Sequence, residues 1–234
     1  MLDIRSKPSR PLVSVSILSA DFAVMEQECR DVLDQGADLL HVDIMDGHFV
    51  KNLTMGPDMV RGVRKHLPGV FLDVHLMVER PERFVDAFAD AGANLLSFHL
   101  EVCSPFHPNG VDPEALIEHI HRRGLAAGMV VNPYTHPQPL EPWLDALELV
   151  LVMSVVPGRS GQSFMPHVLP KAQWLRERVK DHTRVEMDGG LNGTTGPQAV
   201  AHGVDTLVTA SYVFTAADRR AAIAAVRGED RTGG

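Results

Sequence analysis

Gln35-Gly36-Ala37-Asp38-Leu39-Leu40-His41-Val42-Asp43-Ile44-Met45-Asp46-Gly47 leaves an amphipathic stretch through a glycine, enters an apolar strand and ends on polar residues. The glycine stands where a helix C-terminus needs a left-handed residue, and the leucine pair opens a buried strand. The pattern recurs at Ala91-Gly92-Ala93-Asn94-Leu95-Leu96 and at His202-Gly203-Val204-Asp205-Thr206-Leu207. Working outward, short apolar runs at Leu12–Leu18, Leu39–Met45, Val70–Met77, Leu95–Leu100, Ala127–Val131, Leu149–Val155, Arg184–Met187 and Thr206–Thr209 read as strands. Longer amphipathic stretches between them, and one after the last, read as helices. Such alternation also suits an open doubly wound sheet. The even spacing of eight units, without a Gly-x-Gly-x-x-Gly turn after the first strand, favours a closed α/β architecture, a single-domain (β/α)8 TIM barrel.

The chain's 234 residues suit one such barrel, which needs about 250. The reading divides it into a polar N-terminal arm over 1–10, a catalytic barrel over 11–227 and a flexible tail over 228–234. Apolar residues at 44% and charged residues at 22% describe a chain with a sizeable core, which excludes a disordered or fibrous class. A net charge of -8 argues against nucleic acid as a partner, because a phosphate-backbone binder concentrates Lys and Arg on one face. Cys29 and Cys103 have no Cys-x-x-Cys spacing, so neither a disulfide framework nor a thiolate metal site is expected, and the cytoplasm is the expected location. No apolar run approaches membrane-spanning length, so no membrane association is expected.

In a barrel, chemistry gathers at the C-terminal ends of the strands. Those ends carry Ser16, the His41 to Gly47 run, Asp73-Val74-His75-Leu76-Met77, Phe98-His99-Leu100-Glu101, Val131-Asn132-Pro133, Met153-Ser154, Met187-Asp188-Gly189-Gly190 and Ala210-Ser211. Residues two apart on a strand share a face, so His41, Asp43 and Met45 point together, as do Asp73, His75 and Met77. A lone strand histidine is ordinarily a hydrogen-bonded core residue. Two imidazoles and two carboxylates, His41, Asp43, His75 and Asp188, at one rim point instead to one divalent metal ion, Zn²⁺, Fe²⁺, Mn²⁺ or Co²⁺, with room for a substrate oxygen.

Ser16-Ile17-Leu18, His41 to Val50, Asp73 to Val78, Met153-Ser154-Val155 with Pro157-Gly158, Gly161-Gln162-Ser163-Phe164, and Asp188-Gly189-Gly190 resemble, in order, the motifs of the ribulose-phosphate 3-epimerase family. The resemblance runs from about Val13 to Phe214. It implies an isomerase that inverts C3 of D-ribulose 5-phosphate to give D-xylulose 5-phosphate. By that resemblance Asp43 and Asp188 both bind the metal and serve as the two acid/base groups, and Ser16 and His75 contact substrate. The phosphate is expected on Gly158, Arg159, Ser160 and Gly161, on Gly189 and Gly190, and on Ala210 and Ser211. Met45, Met77 and Met153 are expected to line the reaction centre, although a strand methionine is as readily core filling. The expected partner is a small sugar phosphate, and the protein is expected to be a homo-oligomer.

Three stretches depart from the family pattern. Lys51-Asn52-Leu53-Thr54 replaces a Pro-Asn continuation, Gly158-Arg159-Ser160-Gly161 lacks the usual aromatic, and Ala210-Ser211 replaces Gly-Ser. These put the substrate in question more than the reaction. A ketohexose 6-phosphate such as allulose 6-phosphate is the alternative substrate, and a non-catalytic phosphosugar-binding barrel the alternative class. A barrel decarboxylase is disfavoured, because its Asp-x-Lys-x-x-Asp strand end is absent.

Overall fold

The computed structural model describes residues 2–229. Eight parallel strands, β1 (Leu12–Ser16), β2 (Leu39–Met45), β3 (Leu72–Met77), β4 (Leu95–His99), β5 (Ala126–Val131), β6 (Leu149–Met153), β7 (Arg184–Asp188) and β8 (Thr206–Thr209), close into a barrel in chain order. Helices α1 (Met25–Asp34), α2 (Pro57–His66), α3 (Val85–Ala91), α4 (Pro113–Arg122), α5 (Leu169–Arg176), α6 (Thr195–Ala201), α7 (Ser211–Phe214) and α8 (Arg219–Arg227) surround it. Most of the strands were legible because they are short, buried and largely apolar runs, the pattern of parallel strands covered on both faces. One connection differs from expectation. Between β5 and β6 the chain forms a 3₁₀ run, Gln138–Ala146, with Pro142 inside it; proline lacks the N–H and crowds the preceding turn, which prevents a regular α-helix.

Two cores result from the two strand faces. Outward residues such as Val13, Leu40, Val42, Val74 and Phe98 pack beneath the helices with Val60, Phe88 and Ile120. Phe88 and Phe98 are both fully buried, each worth about 1.5–3 kcal/mol relative to exposure. Inward residues at the strand starts, Leu12, Leu39, Leu95, Ala126 and Leu149, form a separate apolar floor with Phe71. Above that floor the interior turns polar, with His41, Asp43, Asp73, His75, Ser97, His99 and Glu186 all buried. Gly92 ends α3 with φ 93°, the left-handed residue that the sequence pattern required.

The termini are more firmly held than their composition suggests. Ile4 is buried and joins the apolar floor, while Arg5 donates to Glu148 Oε1 from Nε at 3.2 Å and Nη2 at 3.0 Å. At the other end Gly228 caps α8, and Glu229 pairs with Arg10 and Arg227. The rest of the tail reading, 230–234, lies outside the described residues. Buried Arg227 closes the seam, donating to Pro11 O at 3.1 Å, Gly36 O at 2.8 Å and Asp38 Oδ2 at 2.7 Å. Cys29 and Cys103 are both free and buried. Burial, with Glu28 and Glu101 respectively nearby, pushes each thiol up to about 12.

Candidate active site and metal centre

The β2–β3 register sets His41 beside Asp73, Asp43 beside His75 and Met45 beside Met77. All six side chains therefore enter the barrel in two adjacent columns. Ser16 lies across from His41 on β1, and Met153 across from Asp188 on β6. β8 and β1 stand between β7 and β2, so Asp188 and Asp43 approach the mouth from different sides.

Their polar atoms converge. His41 Nε2 lies 3.4 Å from both His75 Nδ1 and Asp43 Oδ1, and His75 Nδ1 lies 3.2 Å from the same oxygen. With Asp188 these groups offer four ligand atoms within 4.8 Å of one another. Two imidazole nitrogens and a carboxylate oxygen at this spacing repel unless a proton or cation lies among them. Two nitrogens and two oxygens match the donors that borderline divalent metals accept, so the residues present fit a metal ion. The second oxygen of Asp43 is held separately, accepting from Ser16 Oγ at 2.5 Å.

The electrostatics separate the two carboxylates. Burial opposes ionisation of Asp43, but His41 and bonds from both histidines prevail and hold it well below the usual carboxylate range. Burial and then the Asp43 charge push Asp188 up to about 7. His75 falls to about 4, chiefly through burial. His41 is also buried, yet Asp73 and Asp43 on either side raise it well above the ordinary histidine value. One carboxylate is thus ionised and the other poised near neutrality, the division expected of an acid/base pair.

Above these groups opens a cleft of about 580 Å³ including its mouth, within the range of small-molecule sites. Its walls include Ser16, Asp43, Asp188 and the methionines Met45, Met77 and Met153. Gly158, Arg159, Ser160, Gly161, Gly189, Gly190, Ala210 and Ser211 line one side together. His41 and His75 are fully buried behind the residues that line the cleft. Gly189 and Gly190 have φ of 125° and 66°. A Cβ at Gly190 would meet Phe164 N at 2.6 Å, and one at Gly189 would meet Val155 Cγ2 at the same distance. Lys51 is exposed and outside the cleft wall.

Loop interactions shape the mouth. Asp46 accepts from His48 N and Phe49 N with one oxygen and from Glu79 N with the other, tying the loops after β2 and β3. Thr54 Oγ1 donates to Asp43 O at 2.7 Å and accepts from Met45 N at 2.9 Å, so the divergent Lys51–Thr54 stretch folds back against its own strand. Asn52 Nδ2 reaches Gly158 O at 2.9 Å across the mouth. The segment 103–110 closes on itself through Ser104 N to Val111 O at 2.9 Å and does not line the cleft.

Residues 12–214 match the family model described as the ribulose-phosphate 3 epimerase family. The chain belongs to the ribulose-phosphate 3-epimerase family. Curated relatives of that name from Bacillus subtilis and Schizosaccharomyces pombe are 44% and 40% identical. The matches cover 92% of this chain in both cases, with 98% and 92% of the respective relatives. Among solved structures, KGPDC from Streptococcus mutans in complex with D-R5P superposes with a TM-score of 0.70 at 17% identity, covering 94% of this chain and 96% of that one. At that identity the likeness concerns the fold alone. Membership makes the chain a carbohydrate-phosphate isomerase. Among the described residues no helix is long and apolar enough to cross a membrane.

Proposed function

We propose that the protein inverts C3 of D-ribulose 5-phosphate, interconverting it with D-xylulose 5-phosphate, through Asp43 and Asp188 as paired acid/base groups. The observation that carries this is the two carboxylates on one cleft, approaching from different strands with opposite protonation preferences. Inversion beside a ketone requires a proton to leave one face of the carbon and another to arrive on the opposite face, and two separately placed carboxyls meet that need. In one direction ionised Asp43 removes the proton while protonated Asp188 delivers the other; in the reverse direction the roles exchange.

His41, Asp43, His75 and Asp188 would hold one divalent ion, Zn²⁺, Fe²⁺, Mn²⁺ or Co²⁺. When bound, the ion supplies positive charge where an enediolate develops negative charge, worth several kcal/mol in reactions of this kind. Ser16 restrains Asp43 through the 2.5 Å bond. The methionine wall surrounds the reacting carbon without strong donors that would divert a proton. Gly189 and Gly190, with the Gly158–Gly161 turn and Ala210-Ser211, receive the phosphate, because residues without bulky side chains let backbone amides approach it. Arg159 adds a positive charge beside that subsite.

The relatives' shared name supports a five-carbon substrate over a ketohexose 6-phosphate. The deciding experiment assays both classes with each metal and follows C3 proton exchange in deuterated water. Turnover and exchange with ribulose 5-phosphate are expected. Activity confined to six-carbon ketose phosphates would replace the substrate, and absence of exchange with every ketose phosphate would leave a binding protein.

A further inference from the structure

Three polar groups beside the four-residue centre, buried Asp73 and His99 and half-buried Glu101, have no part in the chemistry above. Asp73 and His99 each meet one of the two imidazoles at the nitrogen that does not face the centre, and Glu101 meets His99. His41 Nδ1 lies 2.6 Å from Asp73 Oδ2, which leaves Nε2 facing Asp43 and His75. His75 Nε2 lies 2.9 Å from His99 Nε2, which leaves Nδ1 facing the centre. The other nitrogen of His99, Nδ1, lies 3.1 Å from Glu101 Oε2. Glu101 Oε1 is in turn occupied by Asn132 N at 2.9 Å.

The proton positions follow from these contacts. Glu101 as a carboxylate accepts only, so His99 Nδ1 carries a proton. With that single ring proton His99 accepts at Nε2, and the 2.9 Å contact then places the proton on His75 Nε2. That assignment leaves a lone pair on His75 Nδ1. Asp73, accepting from His41 Nδ1, leaves the equivalent lone pair on His41 Nε2 once its second proton is displaced. Phe49 packs against His99 with ring centroids 4.5 Å apart, and helps hold the relay ring in place.

We infer that Asp73 and the His99–Glu101 pair are positioning residues that fix each centre-facing imidazole in the one tautomer able to ligate a cation. The inference rests on the reading of His41 and His75 as ligands. It assigns a role to a fourth-strand residue, His99, that contributes no atom to the four-residue cluster. Groups that orient metal-bound histidines in this way typically change metal affinity by 10–100-fold when removed.

The test uses His99→Phe, which keeps an aromatic ring between Phe49 and His75 but removes the acceptor, with His99→Gln restoring an acceptor oxygen. Zinc affinity is measured by chelator competition. The tautomer of His75 is read from nitrogen-15 spectra of imidazole-labelled protein before zinc is added. Wild type is expected to show the proton on Nε2 of His75. His99→Phe is expected to lose that preference and to bind zinc roughly 10–100-fold more weakly, with His99→Gln recovering most of the affinity. A wild-type His75 protonated on Nδ1, or a folded His99→Phe protein binding zinc as wild type does, overturns the inference while leaving the cation site standing. If His99→Phe fails to fold, Glu101→Gln, at the less buried end of the relay, takes its place with the same two readouts. A wild-type protein that takes up no zinc, manganese, cobalt or ferrous ion overturns the ligand reading itself, and this inference with it.

Discussion

At the scale of single residues, what distinguishes this site is that two carboxylates a few ångströms apart have been driven to opposite protonation states. Asp43 is surrounded by positive and hydrogen-bonding groups, whereas Asp188 loses solvent and gains a negative neighbour. Either Asp43→Asn or Asp188→Asn is therefore expected to lower kcat about 10²–10⁴-fold in steady-state assays. Binding of a divalent ion displaces the Nε2 proton of His41 and competes with the proton on Asp188. Because Asp188 sits near 7, raised above its ordinary value, it is protonated below neutrality and ionised above it. Calorimetry in buffers of different ionisation enthalpy should show about one more proton released per ion at pH 6 than at pH 8, and affinity that weakens as pH falls through 7. His41, Asp43 and His75 were legible in the sequence because strand periodicity sets alternate residues on one face, and Asp188 because it ends a strand directly before paired glycines. The partnership of Asp73 with His41, and of His99 with His75, was not. Asp73 appears in the sequence as a residue on the inward face of β3, but which imidazole it meets depends on the β2–β3 register. Glu186, whose carboxyl is held well above the usual range by burial and by the neighbouring Asp73 charge, carried no sequence signal beyond its place two residues before Asp188.

At the scale of elements, the strands set the chemistry and the turns after them set what can bind. The turn after β7 is the most constrained, since Gly189 and Gly190 combine left-handed backbone with neighbours too close for a side chain. Gly190→Ala should introduce about 1–3 kcal/mol of strain. Its expected effect is a KM roughly tenfold higher for the phosphorylated ketose and a much smaller change for the unphosphorylated sugar, with thermal melting as the control for folding. The sequence anticipated β2 and β8 to the residue, because Asp38 and Asp46 bound β2 and Asp205 precedes β8. It overran β1 and β6 by two residues each, since apolar Ile17-Leu18 follow β1 and a buried serine and valine, Ser154-Val155, follow β6. The 3₁₀ run before β6 was missed because its apolar spacing resembles a helix, and only the geometry of Pro142 forbids one. The Lys51–Thr54 stretch departs from the family pattern in sequence, yet its threonine bonds back to the strand that carries Asp43.

At the scale of the whole molecule, closure is maintained by more than the strand ladder. Arg227 joins the last helix to the chain before β1 and to the turn before β2, at a nearly solvent-free position. Arg227→Ala should cost about 3–5 kcal/mol, read as a lower urea midpoint with an unchanged slope. The apolar floor, sealed by Ile4, confines access to the opposite face of the barrel, which is where every large exposed apolar side chain from Phe22 to Tyr212 also lies.

The two thiols add a practical corollary. Neither sulfur is ionised at neutral pH nor open to reagents, so alkylation and disulfide exchange should leave the native enzyme untouched and consume two equivalents only after complete unfolding. A cysteine substituted for Leu53, which is 75% exposed beside the Asn52 tether, would then be the sole fast-reacting sulfur. A fluorophore or spin probe attached there would report loop movement during turnover against a silent background, without first stripping the chain of its own cysteines.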